Sequence, residues 1–211
     1  MYDIPPDLWS TLTTLGTYLL FVLLVVVPVY LNRAYLPGRL AALARGWRRL
    51  TARGWWRAGY VPLSLVVLFA AAAGALVLAE LVPLLRWGWL GANIIAAPLA
   101  PPADAGRTPG VDWSALLPLA LVPVIVAAML LFNYEEERQY RDSYRSVGVW
   151  AVLHLVMGIP LFAVIPIFTV GLVYKRIYDR HGLDAAYAVH FATNSVLVTV
   201  LVVGTVVLAT V

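Results

Sequence analysis

Residues 114–145 read SALLPLALVPVIVAAMLLFNYEEERQYRDSYR, an uncharged apolar run that ends abruptly in three glutamates and three arginines. A helix needs about 20 predominantly apolar residues to cross a hydrocarbon core of about 30 Å, and the run from Ser114 to Phe132 has that length. The rest of the chain is of the same kind. Its 211 residues are 62% hydrophobic and 12% charged, whereas soluble domains are about 45–50% apolar with about a quarter of their residues charged. The mean hydropathy is +0.85. The expected fold is therefore all-α, a polytopic transmembrane helix bundle of about six spans with one short or broken helix.

Working outward from that run, a first helix is expected from about Leu8 to Leu31, a second from Val61 to Leu85 and a third from Trp113 to Phe132. The apolar region from Val147 to Tyr178 is too long for one crossing at about 1.5 Å rise per residue. Gly158, Pro160 and Pro166 divide it, because proline removes a helical donor and clashes with the preceding turn. This predicts a short fourth helix ending near Met157 and a fifth over Leu161–Tyr178. The sixth runs from Asp184 to Leu208, after the stop signal at Gly182. The chain then divides into an N-terminal membrane region, residues 1–112, and a core, residues 113–211.

Charge sets the expected orientation. Arg33, Arg39, Arg45, Arg48, Arg49, Arg53 and Arg57 lie between the first two helices with no acid among them. Arg138, Arg141 and Arg145, then Lys175, Arg176 and Arg180, join them on one face, leaving Arg86 and Arg107 on the other. The positive-inside rule makes the rich face cytoplasmic and both termini external, in a multi-pass plasma-membrane protein. Leu40, Leu43, Trp47 and Leu50 share a helical stripe, so the Arg-rich segment reads as an amphipathic stretch lying on anionic headgroups of the lipid bilayer. That reading leaves no role for nucleic acid. The Ala/Pro-rich IIAAPLAPPADAGRTPGVDW, residues 94–113, reads as an irregular external connector. The absence of cysteine excludes disulfide and thiolate chemistry. The N-terminal MYDIPPDLW carries acids where a signal peptide has a positive region, so the first apolar run is expected to stay in the mature protein.

Ionisable groups within membrane helices are costly and usually mark a function. The glutamate cluster, His154, and the pair His190 and Asn194 qualify, and so does Glu80, which can pair structurally with Arg86. His181 beside Gly182 reads as a loop residue. Glu137 lies eight residues before Arg145, His154 eight after Ser146 and His190 eight after Gly182. If those boundaries mark one interface, each polar group sits about 12 Å below it. His190 and Asn194 are four apart and share a helical face, as do Glu137 and Arg141. Pairing of Glu137 with Arg141 leaves Glu136 free to face elsewhere. A carboxylate with an imidazole can take a proton from water, and an imidazole beside a carboxamide can donate to an oxyanion. Together they suit amide hydrolysis.

Glu136-Glu137-Arg138-Gln139-Tyr140-Arg141 resembles the EExxxR motif of the CAAX protease and bacteriocin-processing family, also called the Abi family of intramembrane proteases. Trp150-Ala151-Val152-Leu153-His154 is similar to its FxxxH motif, with tryptophan for phenylalanine. His190-Phe191-Ala192-Thr193-Asn194 matches its HxxxN motif. The resemblance covers about Trp113 to Leu208 and implies an endopeptidase, similar to type II CAAX prenyl endopeptidases, acting on a membrane-associated peptide or protein substrate that is lipidated in the type members. It implies that Glu136 with His154 activates water, that His190 with Asn194 stabilises the oxyanion, and that Glu137 and Arg141 hold the first motif together. Trp150 would keep an aromatic wall, and Asp142, where many members have glycine, would alter packing beside the site. Glu135 offers a second register, but only Glu136–Glu137 places arginine at the required spacing.

A metal competes with this mechanism. Glu136, His154 and His190 are a reasonable catalytic zinc set, but tying Glu137 to Arg141 leaves too few carboxylates for both ligand and base. The metal-independent route, with no cofactor, is the preferred expectation. A non-catalytic peptide-binding immunity or scaffold protein is the alternative function. A small-solute transporter would be expected to show related half-repeats, and the chain has none. Ser195 has no His–Asp arrangement to support a serine mechanism.

Overall fold

A computed structural model of the chain describes residues 6–52, 54–90, 93–94, 97–99 and 116–210. Arg53, Arg107, the expected helix start at Trp113 and most of the 94–113 connector lie outside the described residues. The described residues are helical with no strand. Five helices are long and apolar enough to cross a membrane: Leu12–Thr51, Trp55–Leu81, Leu117–Tyr140, Leu161–His181 and Leu183–Thr210. Tyr144–Met157 is a shorter apolar helix. The chain is an all-α membrane protein.

The first helical run is longer than its apolar part. It consists of α1 (Pro6–Phe21), a π-helical stretch Val22–Val26, α2 (Val27–Asn32), a 3₁₀ turn Arg33–Tyr35 and α3 (Leu36–Thr51). Pro28 explains the π-helical stretch: without an N–H it cannot continue the α ladder, and the wider register absorbs the gap. Next come α4 (Tyr60–Leu81), α5 (Val122–Tyr140), α6 (Tyr144–Leu153, continued as 3₁₀ over His154–Met157), α7 (Val164–His181) and α8 (Leu183–Thr210).

Helix α8 is central and packs against α3, α4, α5 and α7. Its first half is sheathed: Ala185 to Val189 are fully buried and His190 nearly so. Its second half exposes Val196, Val200, Val203, Val206 and Val207. With Leu63, Val66, Phe69 and Leu76–Leu78 on α4 they form a broad apolar exterior, the surface that lipid solvates and water does not.

The structure refines several expectations. The Arg-rich segment is helical, and as α3 it also packs on α8 and α5. Its inward stripe is Ala42, Gly46 and Leu50, flanked by Leu43 and Trp47, while Leu40 is exposed. Gly46 allows this approach, since a Cβ there would collide with the Asp184 carbonyl group. Arg45 then reaches Asp184 at 2.9 Å and Arg39 reaches Glu135 at 2.6 Å.

The third helix does not stop at Phe132 but continues through the glutamates to Tyr140. The chain turns at residues 141–143 and restarts at Ser143, whose side chain accepts from the Ser146 N–H in a capping box. Counting eight residues from Glu137 to Arg145 therefore crosses a helix break and does not measure depth.

The 94–113 connector is also more than irregular where it is described. Ile94 N–H donates to the Met157 carbonyl at 2.9 Å, Thr205 donates to the Leu99 carbonyl at 2.7 Å, and Ile94, Pro98 and Leu99 are buried. Glu80 pairs with Arg86, as expected. His181, expected in a loop, is instead the last residue of α7 before Gly182 (φ +83°) and meets the Tyr60 hydroxyl at 3.3 Å.

Candidate functional site

Helices α5, α6, α7 and α8 enclose a cavity of about 270 Å³ lined by Glu136, His154, His190 and Asn194. All four sequence-predicted residues from three separate helical segments thus face one space. The remaining wall is mainly apolar, with Met129, Ile125, Ile167 and Leu201 among its residues. A second cavity of about 250 Å³, between α5 and α6, shares Glu136, Trp150 and His154 with the first and adds Glu135 and Gln139. Glu136 and His154 therefore stand at the junction of the two.

Beneath this junction lies a buried chain of charge. Glu137 and Arg141 are wholly buried and joined by two hydrogen bonds, Arg141 Nη2 to Oε1 at 2.8 Å and Nε to Oε2 at 3.0 Å. Their i, i+4 spacing would be a weak pair on a surface helix, but burial without a partner would cost either group several kcal/mol. His190 Nδ1 lies 2.9 Å from Glu137 Oε1, so Nδ1–H donates to that carboxylate and Nε2 is left toward the cavity. Glu136 Oε2 is 3.8 Å from this Nε2. Spacing alone pairs Glu137 with Arg141; the structure adds His190 on the neighbouring helix.

Aromatic rings fix the remaining freedom. Tyr174 stacks on His190 with centroids 4.5 Å apart at 22°. The Arg141 guanidinium carbon stands 4.0 Å over the Trp150 ring, and Trp150 meets His154 and His190 edge-on at 4.7 and 5.7 Å. Trp150 is thus the expected aromatic wall. His154 Nδ1 donates to the Trp150 carbonyl at 2.8 Å, which leaves its Nε2 as the proton acceptor. Lys175, itself buried and bonded to Asp179 at 3.0 Å, reaches the Arg141 carbonyl at 3.4 Å where α5 ends.

Two residues in the cavity wall were not among the candidates. Asn133 lies one turn before Glu136 and Glu137, and its Oδ1 accepts from Asn194 Nδ2 at 3.3 Å. A carboxamide at the end of an apolar run was the signal that could have found it. Tyr174 has no such signal, because a tyrosine in a membrane helix is ordinary.

Glu135 lines the second cavity but not the one that Glu136, His154, His190 and Asn194 share. It pairs with Arg39 and Arg138, both at 2.6 Å, which agrees with the Glu136–Glu137 register. Asp142 is exposed and accepts from the Ser146 hydroxyl, which holds its carboxyl below the usual carboxylate range. It serves the start of α6 and does not pack beside the site, contrary to expectation.

Among the described residues no group of three His, Asp or Glu side chains is arranged to hold a metal ion. No family model, curated protein or solved structure matches this chain.

Proposed function

We propose that this chain is an intramembrane endopeptidase that hydrolyses a peptide bond of a membrane-associated substrate. One observation carries the reading: Glu136, His154, His190 and Asn194 line one cavity, and His190 is held there by the buried Glu137–Arg141 pair. A water between Glu136 and His154 gives up a proton as its oxygen attacks the scissile carbonyl carbon. His154 Nε2 suits this task because Nδ1–H is already committed to the Trp150 carbonyl.

The developing oxyanion takes hydrogen bonds from Asn194 Nδ2 and from His190 Nε2 when that nitrogen carries a proton. Donors held in place before reaction supply much of the rate acceleration in many such sites. The carbon–nitrogen bond then breaks as the abstracted proton passes to the leaving nitrogen. A carboxylate and an amine are released. No step is routed through a metal, and activity is expected to survive exhaustive chelation.

The active site opens to the cytoplasm of a plasma-membrane protein with both termini outside, a reading supported by the bias of arginine toward one set of loops. The apolar wall of the cavity suits a hydrophobic peptide or the apolar end of a lipidated one. The test compares new peptide termini in host membranes carrying the wild type or Glu136→Gln at equal abundance. Termini confined to the wild type support proteolysis. Identical profiles from two folded proteins overturn it and favour the peptide-binding alternative.

A further inference from the structure

Three buried side-chain nitrogens among the described residues have no hydrogen-bond partner: Arg39 Nε, Asn133 Nδ2 and Trp150 Nε1. Asn133 and Trp150 both line the same cavity as Glu136 and His154. Buried donors are rarely left unpaired, and each exception asks for an explanation. Asn133 is 4% exposed, so bulk water does not solvate it. Its oxygen is engaged by Asn194 Nδ2 at 3.3 Å. A residue whose whole task was to anchor Asn194 would need that oxygen alone. The Nδ2 group would then be an uncompensated cost.

Resting on the proteolytic reading above, we infer that Asn133 binds substrate: its Nδ2–H donates to a main-chain carbonyl next to the scissile bond. The pair Asn133–Asn194 joins α5 to α8 across the cavity. The hydrogen bond between them uses one N–H of Asn194 and leaves its second for the oxyanion. Both N–H groups of Asn133 remain for a neighbouring acceptor. Neither residue can present those donors to an aliphatic occupant without loss, so the pocket selects a ligand rich in carbonyl oxygens, as an extended peptide is. The Trp150 indole N–H adds a third donor on the α6 side, one that a phenylalanine at this position would lack.

The probe is a proteome-derived library of apolar peptides presented in detergent to the purified full-length protein and read by mass spectrometry. The most rapidly cut peptide is then resynthesised with each non-scissile carbonyl in turn replaced by a thioamide, a weaker acceptor. Wild type should lose rate at one carbonyl beside the cut, and Asn133→Leu should be insensitive there. Asn133→Leu and Asn133→Asp, the second of which keeps the acceptor for Asn194, should each lower kcat/KM by about 10–100-fold, the range for one buried hydrogen bond. The inference is overturned if Asn133→Asp cuts like wild type, since Asn133 then only holds Asn194. It is also overturned if wild type is indifferent to every thioamide, a result that needs no variant to fold. Cutting that depends on Glu136 but not on Asn133 overturns this inference alone; a wild type that cuts no more than Glu136→Gln overturns the proteolytic reading with it.

Discussion

His190 Nδ1 meets Glu137 Oε1 at 2.9 Å, a contact between α8 and α5 in which both side chains are buried. It fixes which ring nitrogen faces the cavity, and it makes Glu137 a positioning residue for a histidine 53 positions away. Glu137→Gln keeps the shape but lets the amide present either oxygen or nitrogen to the ring. Activity is expected to fall by about 10²-fold or more, as when a positioned acid–base group loses its orientation. The pH profile should shift as well, which a purely structural role would not cause. Kinetics across pH on the purified variant check this.

Arg141→Met leaves the buried Glu137 carboxylate without its guanidinium partner and with the His190 ring as its remaining donor. Breaking such a pair from one side should destabilise the fold by about 3–5 kcal/mol. Adding Glu137→Gln to Arg141→Met should recover part of that loss. Thermal unfolding of the two variants in one detergent gives the comparison.

Gly171 on α7 faces Trp150 of α6, where a Cβ would stand 2.7 Å from the indole and 2.9 Å from a Val147 methyl carbon. Gly171→Ala should therefore push Trp150 against Arg141, costing about 1–3 kcal/mol by overpacking. Cleavage should fall more than stability suggests, because Trp150 borders both histidines. Measuring melting temperature and cleavage rate together separates the two effects.

At Gly46 the obstacle is backbone rather than a flexible side chain. Gly46→Ala should lever α3 from α8 and release Arg45 and Arg49 from Asp184. Asp184→Asn should weaken the same docking without a steric clash. Limited proteolysis at the α3–α4 turn should be faster in both, with Gly46→Ala the more sensitive.

Asp142 gives a pH-dependent prediction. Its carboxyl titrates below the usual carboxylate range because the Ser146 hydroxyl bonds the charged form. Stability from this contact is thus present above the ordinary carboxylate pKa and lost as pH falls through the lower folded value. Hydrogen exchange at the start of α6 should quicken over that acidic window in wild type, and Asp142→Asn should show no such step.

Much of this molecule is legible in its sequence. Hydropathy alone finds the apolar helices, because a length of about 20 residues is imposed by the bilayer. Glu136, His154, His190 and Asn194 stand out because charge and imidazole are expensive in such helices. The extension of α5 to Tyr140 was legible only in part: the i, i+4 spacing of Glu137 and Arg141 implies helix beyond Phe132, but their complete burial has no sequence signal. The docking of α3 was hidden too: a glycine such as Gly46 carries no hydropathy signal, and a contact with the Asp184 backbone 138 residues on has no local trace. Asn133 carried only the slight signal of a carboxamide ending an apolar run, and Tyr174 needed the three-dimensional neighbourhood of His190 to be noticed.

Proteolysis at this site can be followed through the oxygen of the attacking water. Purified wild type in detergent is incubated with the library-derived peptide in water enriched in ¹⁸O, and each new C-terminus is weighed. Water activated by Glu136 and His154 should put one ¹⁸O atom into the new carboxylate in the first turnover, at a rate that collapses in Glu136→Gln and persists under chelation. Intact peptide throughout, or equal cutting by the wild type and a folded Glu136→Gln, would contradict the proteolytic reading.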